Sequence, residues 1–143
     1  MVKRLLAVDD DVHMLDLLNL IFAENAGYRV TCTSTSLEVP QILERERFDV
    51  VIADLNMPGM DGLDILRWIK SHCRDEQVVI MASTGSSDSE TQALALGAFQ
   101  YLLEPFKKDQ IIEVVDQAVN CARERAGSTP GSVAVSTRAG CEG

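Results

Sequence analysis

The chain has 143 residues, with 22 acidic against 13 basic side chains and a formal net charge of -9. That length fits one domain able to bury roughly two thirds of its unfolded surface, so no cofactor is needed merely to hold it together. The negative balance excludes direct nucleic-acid binding by this domain, which would need a basic footprint against phosphates, and leaves cations and proteins as the expected partners.

The first apolar run, Leu5 to Val8, follows Met1-Val-Lys-Arg in the manner of a signal peptide, but it stops against Asp9, Asp10 and Asp11. It is too short for a secretory core or a membrane span, and a cytoplasmic protein is expected. Val12 to Asn25 carries Met14, Leu18, Ile21 and Phe22 at helical spacing, with Gly27 where a left-handed cap would sit. A strand over Tyr28 to Cys32 comes next. The second helix is predicted over Leu37 to Arg47, capped by Ser36, with Pro40 in the first turn, where a missing N–H costs least.

Val50-Val51-Ile52-Ala53 has the composition of a central parallel strand and runs directly into Asp54, then into the turn chemistry of Pro58-Gly59 and Asp61-Gly62. Asp54 is thereby aimed at solvent from the carboxyl end of a strand, where open α/β sheets bind ligands. Leu63 to Ser71 is a helix with Ile65, Leu66 and Ile69 inward; Val78 to Ala82 is a strand; Asp88 to Leu96 is a helix closed by Gly97; Tyr101 to Leu103 is the last strand. The fifth helix shows one stripe, Ile111, Val115, Ala118, Val119 and Ala122, opposed by Glu113, Asp116 and Arg123. Five strands alternating with five helices predict an α/β fold, a doubly wound parallel sheet with helices on both faces. After Arg125 the composition turns to Gly, Ser, Thr and Pro, so a domain over 1–125 and a flexible tail or linker to an absent output domain over 126–143 are expected.

Two strand ends rich in acids suggest one acidic site. Carboxylates about 4 Å apart repel by roughly 4 kcal/mol at an effective dielectric near 20, so Asp9, Asp10 and Asp54 need a proton or a cation. Mg²⁺ suits them, because it takes oxygen ligands, accepts one or two carboxylates and keeps waters that phosphoryl oxygens can replace. Asp10 and Asp54 would supply carboxylates and Asp9 would act through water.

Val8-Asp9-Asp10-Asp11, Asp54-Leu-Asn-Met-Pro-Gly-Met-Asp-Gly62, Leu96-Gly97-Ala98 and Glu104-Pro105-Phe106 stand in the order and spacing of response-regulator receiver domains, which the chain resembles from Lys3 to about Arg125. The resemblance implies the flavodoxin-like strand order 2-1-3-4-5. It also implies that Asp54 accepts a phosphoryl group from a histidine kinase or phosphotransfer protein, that the backbone carbonyl of Asn56 completes the Mg²⁺ shell, and that Tyr101 reports activation. Homodimerisation through helices 4 and 5 is a further implication, as is slow self-phosphorylation and self-dephosphorylation at most, rather than enzymatic turnover.

Two positions depart from the family pattern. Glu104 stands where the family has a lysine that pairs with the phosphoryl group, and Ala82 stands where it has a Thr or Ser, with Ser83 and Thr84 immediately after. A glutamate beside a phosphoryl dianion would make phosphorylation weaker or shorter-lived, unless Glu104 turns outward toward Lys107 or Lys108, or joins the metal shell. The competing reading is a phosphorylation-independent interaction module. A metal-dependent phosphatase of the haloacid-dehalogenase kind is disfavoured, because Asp9-Asp10-Asp11-Val12-His13 lacks that family's pattern and no length is spare for a cap domain.

The remaining polar residues have ordinary expectations. Asp11 should cap the first helix, Asp61 and Asp64 should serve the turn into the third helix, His13 and His72 should be exposed on helices, and Trp68 should pack. Cys32, Cys73, Cys121 and Cys141 lack paired short spacing and are expected as reduced thiols.

Overall fold

A computed structural model describes residues 2–25, 27–72, 74–83 and 87–126. The expected tail beyond Ala126, together with Thr84, Cys73 and Cys141, lies outside them. In chain order the elements are β1 (Lys3–Val8), α1 (Val12–Ala23), β2 (Tyr28–Thr33), a single 3-10 turn (Ser36–Glu38), α2 (Val39–Arg45), β3 (Val50–Asp54), α3 (Gly62–Ser71), β4 (Gln77–Ala82), α4 (Ser87–Ala95), β5 (Gln100–Leu103) and α5 (Lys108–Ala126).

All five strands pair in parallel in the order β2-β1-β3-β4-β5, the predicted doubly wound arrangement. Strand side chains alternate between the two faces, and the two cores divide accordingly. Leu6, Val8, Val51, Ala53, Ile80 and Ala82 meet α2, α3 and Ala93 of α4 on one face. Leu5, Ala7, Val50, Ile52, Val79 and Met81 meet α1 and α5 on the other. Every residue of β3 and β4 is buried, which is why those strands read as unbroken apolar runs.

Two local expectations need correction. In α1 the buried residues are Leu15, Leu18, Ile21 and Phe22, while Met14 is only half-buried. That helix has apolar residues nearly all round, Leu17 and Leu20 being exposed, so spacing alone does not fix its inward face. Ser36 does not cap the second helix: it opens the 3-10 turn, and its hydroxyl bonds to the loop after β3. Pro40 does sit in the first turn of α2, and Gly27 has φ of +92°.

Candidate functional site

β1 and β3 are neighbours on either side of the point where the strand order reverses, and in such sheets the crevice at the carboxyl ends there is the natural binding place. Asp9 follows β1 directly, its N–H donating to the Thr33 carbonyl at 3.3 Å, and Asp54 closes β3. Leu55, next in line, donates its N–H to the Met81 carbonyl at 2.7 Å, so the sheet fixes the backbone on both sides of Asp54. Gly62 lets α3 begin close behind: a Cβ there would lie 2.8 Å from the Asp54 carbonyl oxygen and 3.0 Å from Ile80 Cδ1. Asp61 and Asp64 start that helix with reciprocal backbone bonds, a capping box, as expected of turn and first-turn residues.

Carboxylate oxygens of Asp9, Asp10 and Asp54 lie within 4.8 Å of one another. Asp9 is 3% exposed and Asp54 8%, whereas Asp10 is exposed. Asp11 points its carboxylate to the His13 N–H at 2.9 Å and caps α1, the role expected of it. Its own N–H donates to the Asp9 carboxylate at 2.9 Å. The three acids open into a cavity of about 260 Å³ lined also by Asp11, Met14, Asn56, Ser83 and Glu104. No basic side chain is among these described residues.

The electrostatics follow from that composition. Burial pushes Asp9 up to about 7, with Asp54, Asp10 and Glu104 adding to the rise and the Asp11 amide opposing it. Asp54 is pushed up to about 6, first by burial, then by Asp10 and Glu104, against the Asn56 and Leu55 amides. Glu104 is itself raised, by burial and then by Asp11. Carboxylates held above their ordinary range by burial and one another favour a cation or a proton in the cavity.

Glu104 therefore stands on the cavity wall rather than turning out to the lysines. Lys108 pairs instead with Glu24 at 3.5 Å. The Glu104 N–H donates to the Ala82 carbonyl at 2.8 Å, which ties the end of β5 to the end of β4. Ala82 is fully buried in the core, and Ser83, one residue on, lines the cavity. Tyr101 is 8% exposed and its hydroxyl shares a hydrogen bond with Ser89 Oγ at 2.8 Å. His13 and His72 are exposed, His72 at the end of α3 with its ring stacked 3.9 Å from that of Trp68. Cys32 and Cys121 are free thiols.

Sequence reasoning missed two participants. Met14 packs against the core as its spacing predicts, but it also lines the cavity. Ser36 bonds across to the loop after Asp54; a serine before an apolar period reads as a helix cap, and no local signal distinguishes the two roles.

Comparison with known proteins gives one consistent picture. The family model for the response regulator receiver domain matches residues 5–116. The chain is 34% identical over 113 residues to sporulation initiation phosphotransferase F of Bacillus subtilis (strain 168), spanning 79% of this chain and 90% of that protein. It is 31% identical over 121 residues to the transcriptional regulatory protein FixJ of Bradyrhizobium diazoefficiens, covering 85% of this chain but 58% of the relative. Among solved structures, a response regulator receiver domain protein from Clostridium thermocellum superposes with a TM-score of 0.78 at 31% identity, covering 85% of this chain and 98% of that one.

Proposed function

The chain belongs to the response regulator receiver domain family of two-component signalling, and on that premise we propose that Asp54 is its phospho-acceptor and that the acidic cavity is its Mg²⁺ pocket. The observation that carries the reading is the convergence of three carboxylates within 4.8 Å at adjacent strand ends, with no basic side chain among the described residues that line the cavity. An all-oxygen donor set of this kind fits Mg²⁺. Asp10, Asp54 and the Asn56 carbonyl would hold the ion, with Asp9 acting through water. When bound, it neutralises charge on the transferring group.

In the proposed reaction, an Asp54 carboxylate oxygen attacks the phosphorus of a phosphohistidine on a histidine kinase or phosphotransfer protein. An O–P bond forms, the P–N bond breaks, and the histidine leaves with a proton. The charge change at Asp54 then shifts an equilibrium between conformations read by a partner, with Tyr101 and its Ser89 contact on the responding face. Homodimerisation through α4 and α5, a cytoplasmic setting and an output domain after residue 125 belong to the same proposal. The length of relatives such as FixJ supports the last of these.

The switch is proposed to be atypical. Glu104 puts a carboxylate where a cation would hold the phosphoryl group, and Ala82 offers no hydroxyl, leaving that of Ser83 among the described residues on the wall. These two residues favour a second reading, an interaction module that works without phosphorylation.

Mass spectrometry and Trp68 fluorescence after incubation with Mg²⁺ and acetyl phosphate, or with beryllium fluoride, separate the two. An adduct that disappears in Asp54→Asn supports the switch. Absence of both adduct and mimic binding at saturating donor would transfer the case to the interaction module.

A further inference from the structure

Ser36 lies between β2 and α2, yet its hydroxyl serves the loop that leaves β3. The residue is 3% exposed. Its Oγ donates to the Pro58 carbonyl at 3.1 Å and accepts the Met60 N–H at 3.1 Å, partners 22 and 24 residues further along. One buried hydroxyl thus satisfies a carbonyl and an amide that would otherwise turn to water. The neighbouring Leu37 packs on the same turn: a Cβ at Gly59 would lie 3.1 Å from Leu37 Cγ, and Gly59 has φ of +83°. Ser36 is itself fixed from behind, because Thr33 Oγ1 donates to the Thr35 carbonyl at 3.3 Å and accepts the Thr35 N–H at 3.2 Å.

A brace therefore runs from the end of β2 to the middle of the segment joining Asp54 to α3. The far end of that segment is held by the Asp61–Asp64 capping box. Asn56, which lines the acidic cavity, lies between the end of β3 at Asp54 and the braced Pro58. Ser36 does not line it and acts only through the loop.

We propose that Ser36 is a positioning residue for the acidic site, holding the loop after Asp54 so that the Asn56 carbonyl is presented to a divalent cation beside Asp9, Asp10 and Asp54. The inference rests on the reading of this cavity as a Mg²⁺ pocket. Ordering the loop before the ion arrives spares the ordering cost at binding, in the way that groups behind a metal ligand orient it and raise affinity.

The test uses the full chain, calorimetric titration with MgCl₂ alone, and amide exchange at Met60 followed by NMR. In the unaltered chain the Met60 amide is expected to be protected, and more so as Mg²⁺ is added, because brace and ion stabilise the same loop conformation. In Ser36→Ala that protection should vanish and the Mg²⁺ dissociation constant should rise about tenfold. A merely structural hydroxyl would lower stability and leave Mg²⁺ affinity alone, so a folded Ser36→Ala chain binding Mg²⁺ within a factor of about two of the original overturns the proposal. Met60 exchange that ignores Mg²⁺ in the unaltered chain overturns it without any variant. A chain that binds no Mg²⁺ at all fails earlier, at the pocket itself, and takes the proposal with it.

Discussion

Strand β3 has a carboxylate at each end, and the two are treated in opposite ways. Asp49, just before the strand, takes Arg123 Nε and Nη2 at 3.1 and 3.2 Å and the Arg4 N–H at 2.8 Å. Around it Glu46 pairs with Arg4, and Glu76 is clasped by Arg74 at 2.9 and 2.5 Å while accepting the Phe48 N–H at 3.2 Å. Asp54, at the other end, faces Asp9, Asp10 and Glu104 in a cavity that no basic residue lines among those described. A fold that neutralises acids at one edge has the means to do so at the other. On the proposed reading, the unbalanced edge is where charge is left for something outside the chain to meet, since buried like charges raised together mark candidate functional sites.

The balanced edge should be the easier to damage. The Glu76 side chain is 1% exposed and that of Arg74 11%, so Arg74→Ala leaves a carboxylate in the interior with its fork removed. A loss of about 3 kcal/mol in urea unfolding is expected. A loss near zero would mean that water reaches Glu76, and the contrast between the edges would fall. The opposite sign is expected at the acidic edge: Asp54→Asn removes one of several repelling charges and should stabilise the metal-free chain at pH 8 by on the order of 1 kcal/mol. That gain should shrink in Mg²⁺ if, as proposed, the ion takes Asp54 as a ligand.

The pH dependence sharpens the same point. Asp9 at about 7 and Asp54 at about 6 hold protons more tightly in the folded chain than at their ordinary value of 3.8. Between about pH 4 and pH 7 the folded state therefore carries more protons than the unfolded one, and stability must fall as pH rises. Urea midpoints in chelator should decline from pH 5 to pH 8, and Asp9→Asn should flatten that slope. A flat profile in the unaltered chain would show the cluster to be better solvated than its burial implies.

Glu104→Lys supplies the missing cation. Replacing a repelling charge by an attracting one on the cavity wall should tighten beryllium fluoride binding in Mg²⁺ about tenfold, or lengthen the life of the phosphoryl adduct to match. Unchanged affinity and lifetime would show that Glu104 does not reach the bound group.

How much of this was legible beforehand depended on how local its cause is. The order of strands and helices could be read because β3 and β4 are buried on both faces and so appear as apolar runs. Asp54 could be read because a carboxylate between such a run and Pro58-Gly59 has few other places to be. The inward face of α1 could be read in part: Leu18, Ile21 and Phe22 are buried as their spacing predicts, but Leu15 was missed, since Leu17 and Leu20 are as apolar as it is and only packing decides between them. Ser36 looked like a cap because capping is what serine does locally; its true partners are 22 and 24 residues away. The Arg123 fork at the balanced edge was equally hidden. Arg123 lies 74 residues from Asp49, and only the parallel crossover brings α5 back to the start of β3.

The smallest effect tests whether pairing by itself is what separates the two edges. Lys108 and Glu24 form an ion pair between α5 and α1, at 3.5 Å, with side chains 52% and 54% exposed. Both groups keep most of their hydration, salt screens them, and fixing two long side chains offsets the remaining attraction. Lys108→Ala is therefore expected to shift unfolding by less than about 0.5 kcal/mol and to become neutral in high salt. An effect as large as that of Arg74→Ala would mean that any opposite charge stabilises this fold, buried or not, and the acidic cavity would then be only an unpaired surface. An effect near zero restricts the argument to buried acids. There Glu76 has its arginine, while Asp9 and Asp54 have backbone amides but, among the described residues lining the cavity, no cation.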